Sequence, residues 1–347
     1  MPALHGEKSM KPLVSILIPA YNAEPFIADT IQSALAQTWP EKEIIIVDDG
    51  STDDTLSVAR GFASEGITVI TQKNQGASAA RNKAFSLCRG DYIQWLDADD
   101  LLACDKISKQ METVERISNK RILFSSEWGE FMFRPRRAKF ISTPLWNNLS
   151  PLEWLLRKMG QDCFMQPATW LVSRELTEAA GPWDTQLSLD DDGEYFCRVI
   201  LASEKIEFIS AAKTYYRMSG FSSLHNVDKS KRKLDSLWLS MQLHIRYIRS
   251  LEDSERTRAA CVAYLKKWLG FFYPERMDVI ERAQQLASAF GGRLELPPNL
   301  SWKYRWIQKT LGWSTARQAQ VNYNEWKASA LRSWDKTMFY LEKPDAV

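Results

Sequence analysis

Residues 14–55 read VSILIPAYNAEPFIADTIQSALAQTWPEKEIIIVDDGSTDDT, and this stretch decides the class of fold. The run VSILIP at 14–19 consists of β-forming apolar residues and a final proline. A helical pattern follows, with apolar residues at helical spacing from Ile27 to Leu35. The run EIIIV at 43–47 is continuously apolar, which is typical of a strand that a parallel sheet buries on both faces. The order strand, helix, strand therefore predicts an α/β domain.

The alternation of strands and helices continues along the first half of the chain. ITVIT at 67–71 and YIQWL at 92–96 are two further predicted strands, and a helix is predicted between them near 77–88. Four strands that alternate with helices predict a mostly parallel central sheet. QPATWLVS at 166–173 has the pattern of one more strand.

In the last third of the chain the alternation stops, and apolar residues recur only at helical spacing. The sequence therefore predicts two parts, an α/β domain over residues 1–225 and a helical region over residues 226–347. One helical stripe of this second part carries Trp334, Met338 and Leu341.

Composition excludes several classes of protein. The chain has 347 residues and a formal net charge of +2, so no strong positive field favours a nucleic-acid partner. No apolar run is long enough to cross a bilayer, and the first residues lack the apolar segment of a secretory signal. The five cysteines are scattered without a CxxC pair, which favours a reducing compartment over disulfides or a zinc site. We therefore expect a cytoplasmic protein, at the inner face of the membrane if its helical region contacts lipid.

Polar clusters follow each of the four predicted strands. Ligands of an open parallel sheet bind outside the carboxyl ends of the strands, so these clusters mark a candidate binding edge. The simpler alternative is that turn residues follow every strand, but the acidic content exceeds what turns require. The clusters are Tyr21 and Asn22, Asp48 and Asp49, Asn74 to Arg81, and Asp97 to Asp100.

Asp97 and Asp99 are the strongest chemical signal in these clusters. They are two residues apart directly after an apolar strand, so both carboxylates can turn toward the crevice at the strand ends. Hard cations such as Mg²⁺ take one or two protein carboxylates and complete their shell with phosphate oxygens and water. The pair therefore predicts a site for Mg²⁺ or Mn²⁺ beside a diphosphate. The alternative is a solvated acidic turn before the next helix.

The ordered motifs resemble the family 2 glycosyltransferases, which have the GT-A fold. The stretch at 14–55 resembles the opening of these enzymes, and NQGASAARNKA at 74–84 and GDYIQWLDADD at 90–100 continue the pattern in the same order. PATWLVSRELTEAAGPWDTQLSLDDDGEYFCRV at 167–199 resembles their acceptor-side segment. The resemblance spans roughly residues 12–225. It implies a GT-A nucleotide-sugar-binding domain with a mostly parallel sheet, followed here by an α-helical region.

The resemblance also implies a set of nucleotide-binding residues. Tyr21 would stack on uracil or a similar ring, and Asp48 would accept a hydrogen bond from the edge of the base. Asp49 and Ser51 are better explained as loop-ordering and helix-capping residues. Arg81 would contact the base or the diphosphate, and its alternative is an exposed helix arginine. The full set is Pro19, Tyr21, Asn22, Asp48, Asn74, Gly76, Arg81, Asp97 and Arg217.

The metal and catalytic residues follow from the same resemblance. Asp99 would bind the metal directly, and Asp97 would face the ribose or the metal. The family's acidic pair, which holds the catalytic base, is Glu-Asp, whereas this chain has Asp191-Asp192. Asp192 is the predicted base and Asp191 the second candidate. The alternative is a charged helix start that the helix dipole favours.

Tyr216 and Arg217 resemble the segment after the last strand of the family, where an Arg-x-His motif often lies near the diphosphate. Ser219 stands where that histidine is expected, and His225 lies six residues further along the chain. Whether His225 replaces the expected histidine is left open by the sequence.

These features predict a metal-dependent, inverting hexosyltransferase. It would move a sugar from a nucleoside diphosphate sugar, UDP-linked in our reading, to a saccharide or lipid-linked glycan in cell-surface polysaccharide synthesis. One alternative is a sugar nucleotidyltransferase, although IPAYNAE at 18–24 lacks the Gly-rich phosphate loop of that class. Another is a catalytically inactive glycan-binding or partner-binding protein, although the acidic motifs are present.

WKYRWIQKTLGW at 302–313 mixes tryptophan with lysine and arginine, as helices at membrane surfaces do. We favour a helix packed on the catalytic domain for this segment. Peripheral membrane contact is the alternative, and it would bring the enzyme to a lipid-linked acceptor.

Overall fold

The computed structural model describes residues 11–161, 163–218, 230–297 and 300–342. The strands in these ranges are β1 (Val14–Ala20), β2 (Lys42–Asp48), β3 (Thr68–Thr71), β4 (Tyr92–Trp95), β5 (Leu101–Leu102), β6 (Ile122–Phe131), β7 (Lys139–Phe140), β8 (Val172–Ser173) and β9 (Lys205–Arg217). The helices are α1 (Ile27–Leu35), α2 (Thr55–Gly61), α3 (Ala77–Leu87), α4 (Lys106–Ile117), α5 (Pro151–Gly160), α6 (Arg174–Ala180), α7 (Asp191–Ala202), α8 (Lys231–Leu251), α9 (Glu255–Phe272), α10 (Met277–Ala289), α11 (Arg305–Leu311) and α12 (Trp313–Leu341).

The main sheet has five strands in the order β3, β2, β1, β4, β8. β1 pairs in parallel with β2 and β4, and β2 pairs in parallel with β3. β8 is antiparallel to β4. The predicted α/β fold with a mostly parallel sheet is confirmed, and β1 to β4 are the four strands expected from the sequence.

Both faces of the main sheet are covered. Ile16 of β1 packs in one cluster of buried side chains with Ile27 of α1 and Met111 of α4. Leu17, the next residue of β1, belongs to a second cluster that contains Ala84 of α3. Successive residues of a strand point to opposite faces. The continuous apolar runs of the sequence follow from this two-sided burial.

A second sheet contains β5, β9, β6 and β7 in that order. β6 and β9 run in parallel, with a shift of register between Ser126 and Glu127. The sequence does not predict β9, because β9 is half exposed and mixes charged with apolar residues. Tyr216 and Arg217, expected beyond the last strand, instead lie at the end of β9.

Residues 166–173 form a turn and a very short strand instead of the predicted single strand. Pro167–Thr169 is a short 3-10 helix, and only β8 pairs with β4. The side chain of Gln166 accepts a hydrogen bond from the backbone N–H of Ala168 at 3.1 Å. This cap and the fixed φ of the proline favour a helical turn over an extended chain.

The helical region shares a hydrophobic core with the α/β part. One cluster of buried apolar side chains contains Leu17 and Trp95 from the sheet together with Leu237 and Met241 of α8 and Leu265 of α9. The helical spacing predicted for these α8 and α9 residues is confirmed. Because the two parts pack on each other, α8 can contact the start of α7.

The predicted boundary after residue 225 falls outside the described residues, as do Ser219 and His225. The division into two parts therefore stays a prediction. Among the helices that the structure describes, none combines the length and the hydropathy needed to cross a membrane.

Candidate functional site

Arg81 of α3 lies at the centre of the candidate site and joins two separate segments of the chain. Its Nη2 donates a hydrogen bond to Asp97 Oδ1 at 2.8 Å, and its Nη1 donates to Asp191 Oδ2 at 2.9 Å. Asp97 follows β4, and Asp191 begins α7. These two ion pairs bring the predicted metal residues and the predicted catalytic residues together.

The guanidinium of Arg81 is enclosed. Its side chain is 7% exposed and lies 4.3 Å from the ring centre of Trp183. Burial opposes the charge, but Asp97 and Asp191 outweigh it and raise the pKa of Arg81 above its ordinary value. The alternative of an exposed helix arginine is therefore wrong. A direct contact between Arg81 and a nucleotide stays a prediction.

Arg217, at the end of β9, holds the loop that follows β4. Its backbone N–H donates to Asp100 Oδ1 at 2.8 Å and its Nε donates to the carbonyl oxygen of Asp99 at 2.7 Å. Its Nη2 donates to Asp29 Oδ2 at 2.9 Å. The side chain is buried, so Arg217 orients the backbone of the loop. Its predicted contact with the nucleotide stays a prediction.

The four acidic residues at the start of α7 have different surroundings. Asp190 Oδ2 accepts a hydrogen bond from Ser240 Oγ of α8 at 2.6 Å. Glu194 is bound by Arg198 at 2.8 Å and by the hydroxyl of Tyr247 at 2.6 Å. Asp191 is held by Arg81 and by Ser78 Oγ at 3.2 Å.

Asp192 is the fourth acidic residue of this group. Within the part of the chain that the structure describes, its carboxylate makes no hydrogen bond or ion pair. Burial, followed by the charges of Asp191 and Asp190, raises the pKa of Asp192 to about 7, against the opposing effects of Arg81 and Lys158. The sequence left the direction of this shift open. A carboxyl group that titrates near neutral pH and has no fixed partner is suited to general-base chemistry.

Gly193 is required by the position of the Asp190 side chain. A Cβ atom at residue 193 would lie 2.0 Å from Asp190 Oδ1 and 2.7 Å from its Cγ. Asp190 has a left-handed backbone with φ of 56°, and Ser240 fixes its carboxylate, so it cannot move aside freely.

The change Gly193→Ala is therefore expected to lower the free energy of unfolding by about 1–3 kcal/mol, as overpacking does. Urea denaturation followed by circular dichroism measures this effect. Gly61→Ala is the matched control, because Gly61 lies in α2 and a Cβ there meets nothing within 4 Å. That control should be neutral or stabilising by up to about 1 kcal/mol. Equal free energies of unfolding for Gly193→Ala and Gly61→Ala would contradict the packing of Asp190 against Gly193.

Asp48 and Asp49, at the end of β2, are both buried and hydrogen-bonded. Asp49 accepts hydrogen bonds from the backbone N–H groups of Gln75 at 2.9 Å and Gly76 at 2.7 Å, so its predicted loop-ordering role is confirmed. Asp48 accepts a hydrogen bond from Thr71 Oγ1 at 2.9 Å. Its predicted contact with a base stays a prediction, and its carboxylate already has partners inside the protein.

The other predicted nucleotide residues lie at the same edge of the sheet. Tyr21 follows β1 and is half exposed, as a stacking residue requires. Asn22 ties the loop after β1 to the loop after β2, because its Oδ1 accepts a hydrogen bond from the backbone N–H of Thr52 at 2.8 Å. Pro19 is buried within β1, whereas Asn74 and Gly76 are exposed in the loop before α3.

The metal-binding prediction can be tested against the donor groups present. Over the described residues, no cluster of three or more His, Cys, Asp or Glu side chains is arranged to hold a metal ion. Asp97 and Asp99 are partly exposed, whereas Asp100 is buried and burial raises the pKa of its carboxyl well above the usual range. The available donors are thus two carboxylates. This set fits a hard cation that takes its remaining ligands from a diphosphate and water.

Several residues of the site were missed by reasoning from the sequence. Trp183 stacks on Arg81, Asp29 pairs with Arg217, and Ser240 holds Asp190. Trp183 lies inside the segment that resembles the family, so its position was the one available signal. Asp29 sits on the exposed side of a helix, and Ser240 has no distinguishing local pattern.

Comparison with known proteins finds relatives for the first half of the chain. Residues 15–179 match the family model described as Glycosyl transferase family 2. The chain is 48% identical over 98 residues to chondroitin synthase of Escherichia coli, covering 28% of this chain and 14% of that protein. It is 42% identical over 114 residues to UDP-Glc:alpha-D-GlcNAc-diphosphoundecaprenol beta-1,3-glucosyltransferase WfaP of Escherichia coli, covering 33% and 44%. The matches span less than half the length of either relative.

The fold also resembles a solved structure. Staphylococcus aureus TarS 1–349 in complex with UDP-GlcNAc superposes with a TM-score of 0.61, over 80% of each chain, at 16% sequence identity. At this identity the likeness concerns the fold alone. It confirms the GT-A-like α/β fold and the helical C-terminal region that the sequence predicted.

Proposed function

We propose, from the premise that residues 15–179 belong to glycosyl transferase family 2, that this chain is an inverting hexosyltransferase. Its donor would be a nucleoside diphosphate sugar, with uridine diphosphate as the carrier. Its acceptor would be a saccharide or a lipid-linked glycan of a cell-surface polysaccharide. The name of WfaP refers to a diphosphoundecaprenol-linked acceptor, which supports the lipid-linked class.

The single observation that carries this proposal is the arrangement around Arg81. One side of its guanidinium binds Asp97 beside the predicted metal residues, and the other side binds Asp191 next to Asp192. One buried cation therefore holds the donor-side carboxylate and the carboxylate next to the predicted base close to each other. A single displacement needs both groups near the reacting sugar, because the proton leaves the acceptor as the diphosphate departs.

The chain's own residues have distinct roles in this reaction. Asp192 accepts the proton of the acceptor hydroxyl. Asp191 is turned away from that role by its ion pair with Arg81 and orients the arginine. Arg81 supplies fixed positive charge close to the carboxylates, and Arg217 holds the loop that carries Asp99.

Asp99 and Asp97 would hold Mg²⁺ or Mn²⁺. When bound, the ion would neutralise negative charge on the diphosphate leaving group. Both side chains are partly exposed at the end of β4, which leaves room for phosphate oxygens and water.

An aromatic surface at the end of β9 is suited to the acceptor sugar. Phe164 is half exposed, and its ring centre lies 4.9 Å from that of Trp128, which in turn lies 5.9 Å from that of Tyr216. Tyr216 precedes Arg217, which holds the loop that carries Asp99, so this surface adjoins the loop after β4. Aromatic faces bind the apolar faces of sugar rings, and Phe164 is accessible for that contact.

Two other functions are less well supported. A sugar nucleotidyltransferase needs a Gly-rich phosphate loop after the first strand, whereas β1 here ends in Pro19 and Ala20 and is followed by Tyr21. An inactive binding protein gives no reason for Arg81 to join a carboxylate after β4 to a carboxylate at the start of α7.

A screen of nucleotide sugars with Mg²⁺ or Mn²⁺ tests the donor class. We expect one donor to raise the melting temperature, since a ligand at 100 times its Kd stabilises the folded state by about 2.7 kcal/mol. Tyr21→Ala should reduce this shift if the tyrosine stacks on the base, whereas Tyr323→Ala, an exposed tyrosine of α12, is the control. Stabilisation by nucleoside triphosphate with release of pyrophosphate would instead identify a nucleotidyltransferase.

A further inference from the structure

α12 carries an apolar face that the described protein leaves uncovered. Trp326 is 67% exposed and Trp334 is 62% exposed. At about 100° per residue, these two and three other exposed residues fall within a sector of about 140°. The five residues, which we call the α12 face, are Tyr323, Trp326, Leu331, Trp334 and Leu341.

The α12 face begins as a packed surface and then continues into solvent. Trp313 and Ala316, at the start of the helix, lie on the same side and are buried against Tyr273, Tyr304 and Ile307. Beyond them, every residue from 322 to 331 is exposed. The segment 302–313 shows the same division, because Trp313 is buried while Trp302 and Trp306 are exposed. Part of the segment 302–313 therefore packs against Tyr273 of the helical region, and its packing on the catalytic domain stays a prediction.

The other end of α12 is fixed to the catalytic part through a different side of the helix. Arg134 binds Asp335 at 2.7 Å and also pairs with Glu342, and the ring of Phe339 lies 6.4 Å from that of Phe133. The helix is therefore held at both ends, and the α12 face lies beside these contacts on the helix surface.

Charge distinguishes between the partners that could cover the α12 face. Residues 302–342 contain seven lysine and arginine residues against three acidic ones. Asp335 and Glu342 are two of the three acids, and Arg134 pairs with both. Exposed Lys303, Arg305 and Lys309 lie near Trp302 and Trp306 in the sequence, on α11 and the 3-10 turn that precedes it. Pairing of two copies through this surface would bring like charges together, whereas an anionic surface would be attracted.

We infer that α11 and the α12 face form a docking surface for an anionic lipid bilayer. Tryptophan and tyrosine partition to the boundary between headgroups and acyl chains, and lysine and arginine next to them bind anionic headgroups. This mode of binding places the helix in the plane of the membrane.

The docking surface adjoins the candidate site. Arg134 and Phe133 follow β6 directly, and Phe131 at the end of β6 lies 4.6 Å from the guanidinium of Arg217. Arg217 in turn holds the loop that carries Asp99. A bilayer bound to α12 would thus lie near the end of the molecule where an acceptor must enter. The inference concerns binding and does not depend on the proposed reaction.

Vesicle flotation of the full chain tests this inference. We expect the protein to float with phosphatidylcholine vesicles that contain 30% phosphatidylglycerol in about 50 mM salt, and to be released at about 500 mM salt. The double change W326S and W334S should lower the partition coefficient, measured over a series of lipid concentrations, at least roughly tenfold, because two interfacial tryptophans are lost. The triple change K303Q, R305Q and K309Q should lower this coefficient roughly a hundredfold, at about fivefold per basic residue.

Leu87→Ser is the matched control, since Leu87 is an exposed apolar residue of α3 and should leave flotation unchanged. Circular dichroism and thermal melting confirm that each variant is folded. Absence of flotation, or equal flotation of wild type and the double tryptophan variant, overturns the inference. So does a dimer in analytical ultracentrifugation that the same two substitutions dissociate, because the occupant would then be a second copy.

Discussion

Replacing Asp192 with Asn is expected to lower turnover by about 10²–10⁴, the range typical for loss of a general base. The change keeps the size of the side chain and removes its basicity. Donor affinity should be nearly unchanged, because the predicted donor contacts lie on Asp48, Arg81 and Asp99. Turnover and donor affinity are measured separately, by steady-state kinetics and by calorimetry.

The pH dependence of the wild type gives an independent check on Asp192. Its pKa is raised to about 7, so the fraction of active base falls about tenfold for each pH unit below that value. Turnover should therefore rise with pH up to about 7 and then level off. The Asp192→Asn variant should have lost this limb of the profile.

The raised pKa also has a consequence for stability. The folded state binds a proton at Asp192 more tightly than the unfolded state, so its contribution to stability is present at low pH and is lost as pH rises toward 7. At pH 8 the Asn variant should therefore be more stable than the wild type, by roughly 1–3 kcal/mol. A variant that loses activity because it unfolds would show the opposite sign.

Asp191→Asn separates the two candidate bases. Asp191 binds Arg81 and Ser78, so its loss should disturb the arginine and lower the pKa of Asp192, with a smaller effect on turnover than Asp192→Asn. If Asp192→Asn turns over normally and Asp191→Asn is inactive, Asp191 is the base instead of Asp192. If both variants are active, neither aspartate is the base, and the acidic residues only form a charged helix start.

Replacing Asp99 with Ala is expected to abolish transfer, and an excess of chelator should have the same effect on the wild type. The reason is that Asp99 and Asp97 are the two partly exposed carboxylates at the end of β4, and a divalent cation held by them would bear the charge of the leaving diphosphate. Activity of the chelated protein is measured before and after Mg²⁺ or Mn²⁺ is restored.

Glu65→Ala is a matched control for Asp99→Ala, because it also removes a carboxylate and Glu65 is exposed in a short turn before β3. It should leave both turnover and the metal requirement unchanged. Full activity of the wild type in excess chelator would contradict a metal-dependent reaction, while leaving the role of Asp192 intact.

The sequence by itself predicted the strands and helices that are determined by residues close together in the chain. β1 to β4 were predicted because strands buried on both faces leave continuous apolar runs, and α8 because its buried side has helical spacing. The start of α7 was predicted because acidic residues favour a helix N-terminus. β9 and the turn at 166–173 were not predicted correctly, since partial exposure and a side-chain cap outweigh the local pattern.

What distinguishes the acidic residues of the site was decided only by the tertiary structure. In the sequence, Asp190, Asp191 and Asp192 are three adjacent carboxylates with the same local context. In the folded chain, Asp190 is held by α8, and Asp191 is bound by Arg81, which lies 110 residues earlier in the chain. Asp192 is left without a fixed partner among the described residues. Hydrogen bonds and desolvation act over a few ångströms in space. Contacts between distant segments therefore set the pKa and the role of each group, and no local pattern in the sequence records them.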